Sequence, residues 1–98
     1  MMSRPTASRH VIVRNSHGLH ARPANQLARL ANRFESQIEI TKERVTVDAK
    51  SILDILTLAA TQGSELLIQA TGPDAEAAVM AFAELLESNF ELDEAPDK

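Results

Sequence analysis

Residues 18–24 read Gly18-Leu19-His20-Ala21-Arg22-Pro23-Ala24, and the fold reading turns on the change from loop to helix that they mark. Asn15, Ser16 and Gly18 break regular structure ahead of His20. From Ala24 onward, apolar residues recur at Leu27, Ala28, Ala31 and Phe34, the spacing of a helix with one buried face. Pro23 falls in the first turn, where the N–H it lacks would have no intrahelical partner. The spacing predicts a helix over Ala21 to Phe34, with His20 at its N-cap.

Working outward, Val11-Ile12-Val13 is a short β-branched run and predicts a strand behind a flexible lead, residues 1–8. Gln37 to Lys42 and Val45 to Val47 alternate and are separated by a tight turn, which predicts a hairpin. Ser51 to Ala60 returns to helical spacing, with Asp48 or the Ser51 region as its cap and Gly63 as its C-terminal punctuation. Leu66 to Thr71 alternates again, and Gly72-Pro73-Asp74 opens a helix reaching about Ser88. Ala75, Ala78, Val79, Phe82, Leu85 and Leu86 form its inward face, and Phe90 closes the core. Residues 91–98 read as a solvated acidic tail behind a domain over 9–90.

The order βαββαβα is that of an α+β fold, a four-stranded antiparallel sheet with three helices packed on one face. A ferredoxin-like split βαβ and an open-faced β-sandwich share it, and periodicity does not separate them.

His20 carries the chemistry. A helix N-terminus offers unpaired N–H groups and partial positive charge, a ready anion site. Arg22 adds a donor fork suited to phosphate, and Gly18 lets the loop backbone come close. Neutral imidazole is the nucleophilic form, and a cationic neighbourhood favours it. The loop therefore predicts a nucleophile together with a cradle for a phosphoryl group. His10 reads as a surface strand residue. His17 and His20 have no third ligand nearby, so no metal is expected.

Composition narrows the partners. The 98 residues include no Cys, Trp or Tyr, which excludes disulfides, zinc-thiolate sites and an aromatic platform for single-stranded nucleic acid. The net charge of −4 hides an asymmetry: nine Lys/Arg against four Asp/Glu in residues 1–50, and one against ten in residues 51–98. The basic half holds the His20 loop, which predicts a positive docking face despite the net charge. No run approaches membrane-spanning length, and no secretory or lipidation signal opens the chain, so a cytoplasmic monomer without membrane insertion or nucleic acid is expected.

The string Gly18 to Ala24 resembles the G-L-H-A-R-P-A signature of the HPr family, histidine phosphocarriers of the bacterial phosphoenolpyruvate-dependent phosphotransferase system. Asn15 matches a loop residue often seen there, Lys50-Ser51-Ile52-Leu53 resembles the segment around the family's regulatory serine, and Ala70-Thr71-Gly72-Pro73 precedes a similar helix. The resemblance covers roughly residues 9–90 and selects the open-faced β-sandwich. It implies phosphorylation of His20 at Nδ1 by Enzyme I and transfer to an EIIA-type domain, with no cofactor and no turnover as an enzyme. Arg22 would stabilise the phosphate, and Asn15, Gly18, Ala21 and Pro23 would form its cradle. Leu19, Ala21, Ile52, Leu53 and Leu56 would form an apolar docking patch. Ser51 would be the target of HPr kinase/phosphorylase, or only a helix-start residue. Asp54 departs from the neutral or basic residue often found there in sugar-transport members, and the Lys42-Glu43-Arg44 hairpin, the Ala70-Thr71-Gly72-Pro73 segment and the acidic C-terminus resemble the nitrogen-related branch (NPr) more than the sugar-transport branch. Two alternatives remain: a regulatory module switched by phosphorylation of His20 or Ser51 without a transport role, and a ferredoxin-like domain binding a small ligand or RNA.

Overall fold

The computed structural model describes residues 4–88. Its elements are β1 (Thr6–Ile12), α1 (Ala21–Ala31), β2 (Gln37–Lys42), β3 (Val45–Asp48), α2 (Ile52–Thr57), β4 (Glu65–Thr71) and α3 (Ala75–Glu87), in the expected order. The sheet runs β1-β4-β2-β3 and every pairing is antiparallel. β4 takes an interior place because Leu66, Ile68 and Ala70 all face the core, flanked by Ile38 and Ile40 of β2. The helices cover that one face and leave the other open.

Strand β1 begins at Thr6, inside the stretch expected to be a flexible lead, and ends before Val13. Val11 is its single fully buried residue, so its side chains carry almost no alternation. Backbone pairing with β4, from Thr6 opposite Thr71 to Ile12 opposite Glu65, sets its extent instead. The expected tail at 91–98, and Phe90, lie outside the described residues.

Both helices near His20 end earlier than their apolar spacing suggested. At the end of α1, Asn32 donates from Nδ2 to the Ala28 carbonyl at 2.8 Å and to the Lys50 carbonyl at 3.2 Å, so it caps the helix and ties it to the loop before α2. Lys50 Nζ donates to the Phe34 carbonyl at 2.9 Å, a cation placed just beyond the C-terminal end of α1, the end that favours positive charge. Helix α2 stops at Thr57, and Ala59 turns the chain with a left-handed φ of 51°. Gly63 lies further on and does not terminate the helix; its N–H bonds the Val13 carbonyl at 2.9 Å.

The contacts above fix the direction of α2. Lys50, at its start, is tied to the C-terminal end of α1, while Ala60, beyond its end, accepts from the Leu19 N–H at 2.9 Å. The two helices therefore run antiparallel, with His20 at one end of the pair and Ser51 at the other. Their separation is roughly the length of α1, about 16 Å from the helical rise.

Candidate functional site

His20 is exposed at the N-cap of α1, in extended conformation (φ −93°, ψ −160°), and its side chain caps nothing. Its ring is thus committed to no structural hydrogen bond of the helix. The first intrahelical bond runs from the Ala24 N–H to the His20 carbonyl at 2.9 Å. The Ala21 amide stands ahead of that ladder, and the partial positive charge of the helix end lies beside the imidazole. Ala21 and Arg22 are exposed next to it and Pro23 is buried beneath, so the first turn presents its basic side chain outward.

The loop before His20 is held by two reciprocal contacts. The Gly18 N–H donates to the Asn15 carbonyl at 3.0 Å, and Asn15 Nδ2 donates back to the Gly18 carbonyl. The second bond fixes the orientation of the Asn15 amide, because a flip would set two acceptor oxygens against each other. Asn15 Oδ1 is buried without a partner among the described residues. An acceptor oxygen offers nothing to a phosphate, and one amide hydrogen is already engaged. The geometry therefore makes Asn15 first of all a shaper of the loop.

Gly18 has a role other than the expected one. Its φ is +71°, and a Cβ there would lie 2.3 Å from the Ala60 carbonyl oxygen and 2.9 Å from Thr61 Cα. The close approach that requires glycine is to the backbone after α2, not to a ligand. Leu19 also departs from expectation. It retains 3% of its exposure and belongs to the core, so it presents no surface to a partner. Its burial anchors the residue before His20 and leaves the next side chain pointing out.

The other residues expected in the docking patch keep exposed or half-buried surface. Ile52 is 39% and Leu53 73% exposed, large apolar side chains on the outer side of α2, with Leu56 half-buried behind them and Ala21 exposed on α1.

Two features escaped the sequence reading. The His17 and His20 rings meet edge to face, with centroids 5.8 Å apart and planes at 87°. Spacing of three residues in a loop gave no sign of it. The part Asp54 plays in fixing the start of α2 is the second. Its carboxylate accepts from the Asp48 N–H at 3.2 Å while its own N–H donates to the Ser51 hydroxyl at the same distance. The Ser-x-x-Asp spacing at a helix start was the available signal. Among the described residues, no group of three or more His, Asp or Glu side chains is placed to hold a metal ion, and no helix is long and apolar enough to cross a membrane.

The comparisons with known proteins agree with this geometry. Residues 7–88 match the family described as "PTS HPr component phosphorylation site". The phosphocarrier protein HPr of Treponema pallidum is 42% identical over 81 residues, covering 83% of this chain and 92% of that protein. The phosphocarrier protein NPr of Proteus mirabilis is 39% identical over 89 residues, covering 90% and 99%. The crystal structure of HPr-C-His from Thermoanaerobacter tengcongensis superposes with a TM-score of 0.84 at 38% identity, covering 92% of this chain and 99% of that one. A family match across nearly the whole described fold, with the signature histidine exposed at its helix start, places this chain in the HPr family of phosphocarrier proteins of the phosphotransferase system.

Proposed function

We propose that this protein carries a phosphoryl group on His20, taken from phosphorylated Enzyme I and given to an EIIA-type domain. The observation that carries the reading is the exposed imidazole at the open N-terminus of α1, free of any capping bond and beside Arg22. In the forward step the Nδ1 lone pair attacks phosphorus, the bond from phosphorus to the donor's nitrogen breaks, and the donor imidazole leaves. Developing negative charge on the phosphoryl oxygens falls where the helix amides and the Arg22 guanidinium favour it. The second step reverses these roles with a new acceptor. The site is a surface loop, open to solvent among the described residues, which suits a carrier whose chemistry is completed by its partners and not an enzyme with its own turnover.

Ile52, Leu53 and Leu56 are read as the apolar part of the docking surface, and Arg22 and Arg29 of α1 as its basic part. Helix α1 has no acidic residue, which supports attraction of acidic partner surfaces.

For Ser51 the geometry supports the helix-capping role. Its hydroxyl already accepts from the Asp54 N–H. A phosphate there would add roughly −1.5 to −2 charges, close to the carboxylate of Asp54, and like charges oppose it. The nitrogen-related branch is supported by the NPr relative, and the HPr relative stands beside it at comparable identity.

The test is incubation with Enzyme I and labelled phosphoenolpyruvate. Acid-labile, base-stable label absent from His20→Ala is expected, and label retained in that variant would overturn the assignment. Offering the phosphorylated protein to a sugar-type and to a nitrogen-type EIIA assigns the branch by which one discharges it.

A further inference from the structure

Helices α1 and α3 lie side by side and leave between them a groove of about 270 Å³. Gln26, Arg29 and Leu30 of α1 and Arg33 just beyond it line one wall, and Glu84 and Leu85 of α3 line the other. Gln26 is the informative residue. It retains only 8% of its exposure, yet its side-chain amide has no hydrogen-bond partner among the described residues. The amide atoms themselves are not sealed from solvent, so water or a ligand in the groove is left to satisfy them. Arg29 and Arg33 are four residues apart on the same stripe, and neither forms an ion pair among the described residues. Glu84, across the groove, is likewise unpaired among them.

The donor set specifies a ligand class. Two guanidinium forks one turn apart match the oxygens of a phosphate monoester. An amide both donates and accepts, which suits a hydroxyl, and a carboxylate accepts from hydroxyls while repelling a bare anion. Leu30 and Leu85 offer apolar surface to a carbon skeleton. We propose that this groove binds a small phosphorylated polyol of triose to hexose size, with the phosphate on Arg29 and Arg33 and the hydroxyls on Gln26 and Glu84. Arg29 lies seven residues beyond Arg22, about 10 Å along the helix, so the groove lies away from the His20 loop and does not depend on the phosphocarrier reading, although it shares Arg29 with the basic docking surface.

The test is titration of the full chain, followed by amide chemical shifts and calorimetry, with glucose 6-phosphate and glycerol 3-phosphate. Inorganic phosphate and glucose serve as comparison probes. Saturable binding of at least one sugar phosphate is expected, centred on residues 26–33 and 81–85 and tighter than either comparison probe. Arg29→Ala and Arg33→Ala should each weaken it about tenfold, the loss of one charge-assisted hydrogen bond. Glu84→Gln should erode the preference for the sugar phosphate over inorganic phosphate. Gln26→Leu should weaken binding while leaving the melting temperature unchanged or higher, which separates lost recognition from lost folding. Equal affinity for inorganic phosphate and both sugar phosphates, saturable shifts confined to the His20 loop, or binding unchanged in the double arginine variant would each overturn the proposal.

Discussion

The hydroxyl of Ser51 accepts a hydrogen bond from the backbone N–H of Asp54 at 3.2 Å, and this bond starts α2. Helix α2 has only six residues, too short to stand on propensity. Ser51→Ala should therefore lower stability by about 1 kcal/mol, read from urea unfolding. Asp is as good an N-cap as Ser, so any loss in Ser51→Asp reports repulsion from the Asp54 carboxylate. Asp54→Asn should recover that loss. Equal stability of Ser51→Asp in both backgrounds would show that no repulsion exists.

Gly18→Ala should be among the most damaging single substitutions in the loop. The residue holds φ at +71°, and the added methyl would meet the Ala60 carbonyl at 2.3 Å, where neither backbone has room to yield. Strain and displacement together should cost at least about 2 kcal/mol. Gly63→Ala is the control. Its φ of +91° is also left-handed, but a Cβ there meets nothing within 4 Å, so only the conformational part remains. Urea midpoints for the two variants should differ in that order.

The element order was legible because the residues that report it face the core. Ile38, Ile40, Leu66, Ile68 and Ala70 alternate in the strands, and Leu27, Ala28 and Ala31 repeat at helical spacing in α1. What was not legible is held by backbone and polar side chains. The start of β1 depends on pairing with β4, the end of α1 on Asn32, and the end of α2 on the left-handed Ala59. At the site, the exposed His20 and Arg22 stood where the helix start put them. Leu19 was misread because an apolar residue beside a surface histidine looks the same in sequence whether it docks a partner or anchors the loop. Gly18 was read for the right property and the wrong neighbour.

Asp74 gives the fold a dependence on acid pH. Its side chain does not cap α3. It turns instead to the segment before β2, accepting from the Ser36 hydroxyl, the Ser36 N–H at 2.9 Å and the Glu35 N–H at 3.0 Å. The Ser36 hydroxyl, followed by the Glu35 N–H, holds this carboxyl below its ordinary value of 3.8. A carboxyl whose folded value is depressed stabilises the fold fully above its unfolded value and loses that contribution as pH falls through the folded one. The stability difference between wild type and Asp74→Asn should therefore be constant above about pH 5 and shrink as the solution is acidified below 3.8. Denaturant titrations at a series of pH values would check it, and a gap that persists undiminished at pH 2 would refute it.

The charge split should decide how partners are met. Helix α1 carries Arg22 and Arg29 and no acidic residue, while α3 carries Glu76, Glu84 and Glu87 and no basic one. A partner approaching His20 meets the first surface and not the net charge of −4. At physiological salt, screening acts over about 8 Å, so charges further than that from the His20 loop contribute little there. Association with an acidic partner should be attracted locally and slowed by salt. The rate of phosphoryl transfer from Enzyme I should fall as ionic strength rises from low to physiological values. Arg22→Ala removes a group at the reaction centre as well as a charge, so Arg29→Ala is the cleaner probe. It should reduce the association rate and the salt slope while leaving the single-turnover transfer rate within the complex unchanged. A transfer rate indifferent to salt in the wild type would mean that the apolar patch of Ile52 and Leu53, and not the arginines of α1, brings the partners together.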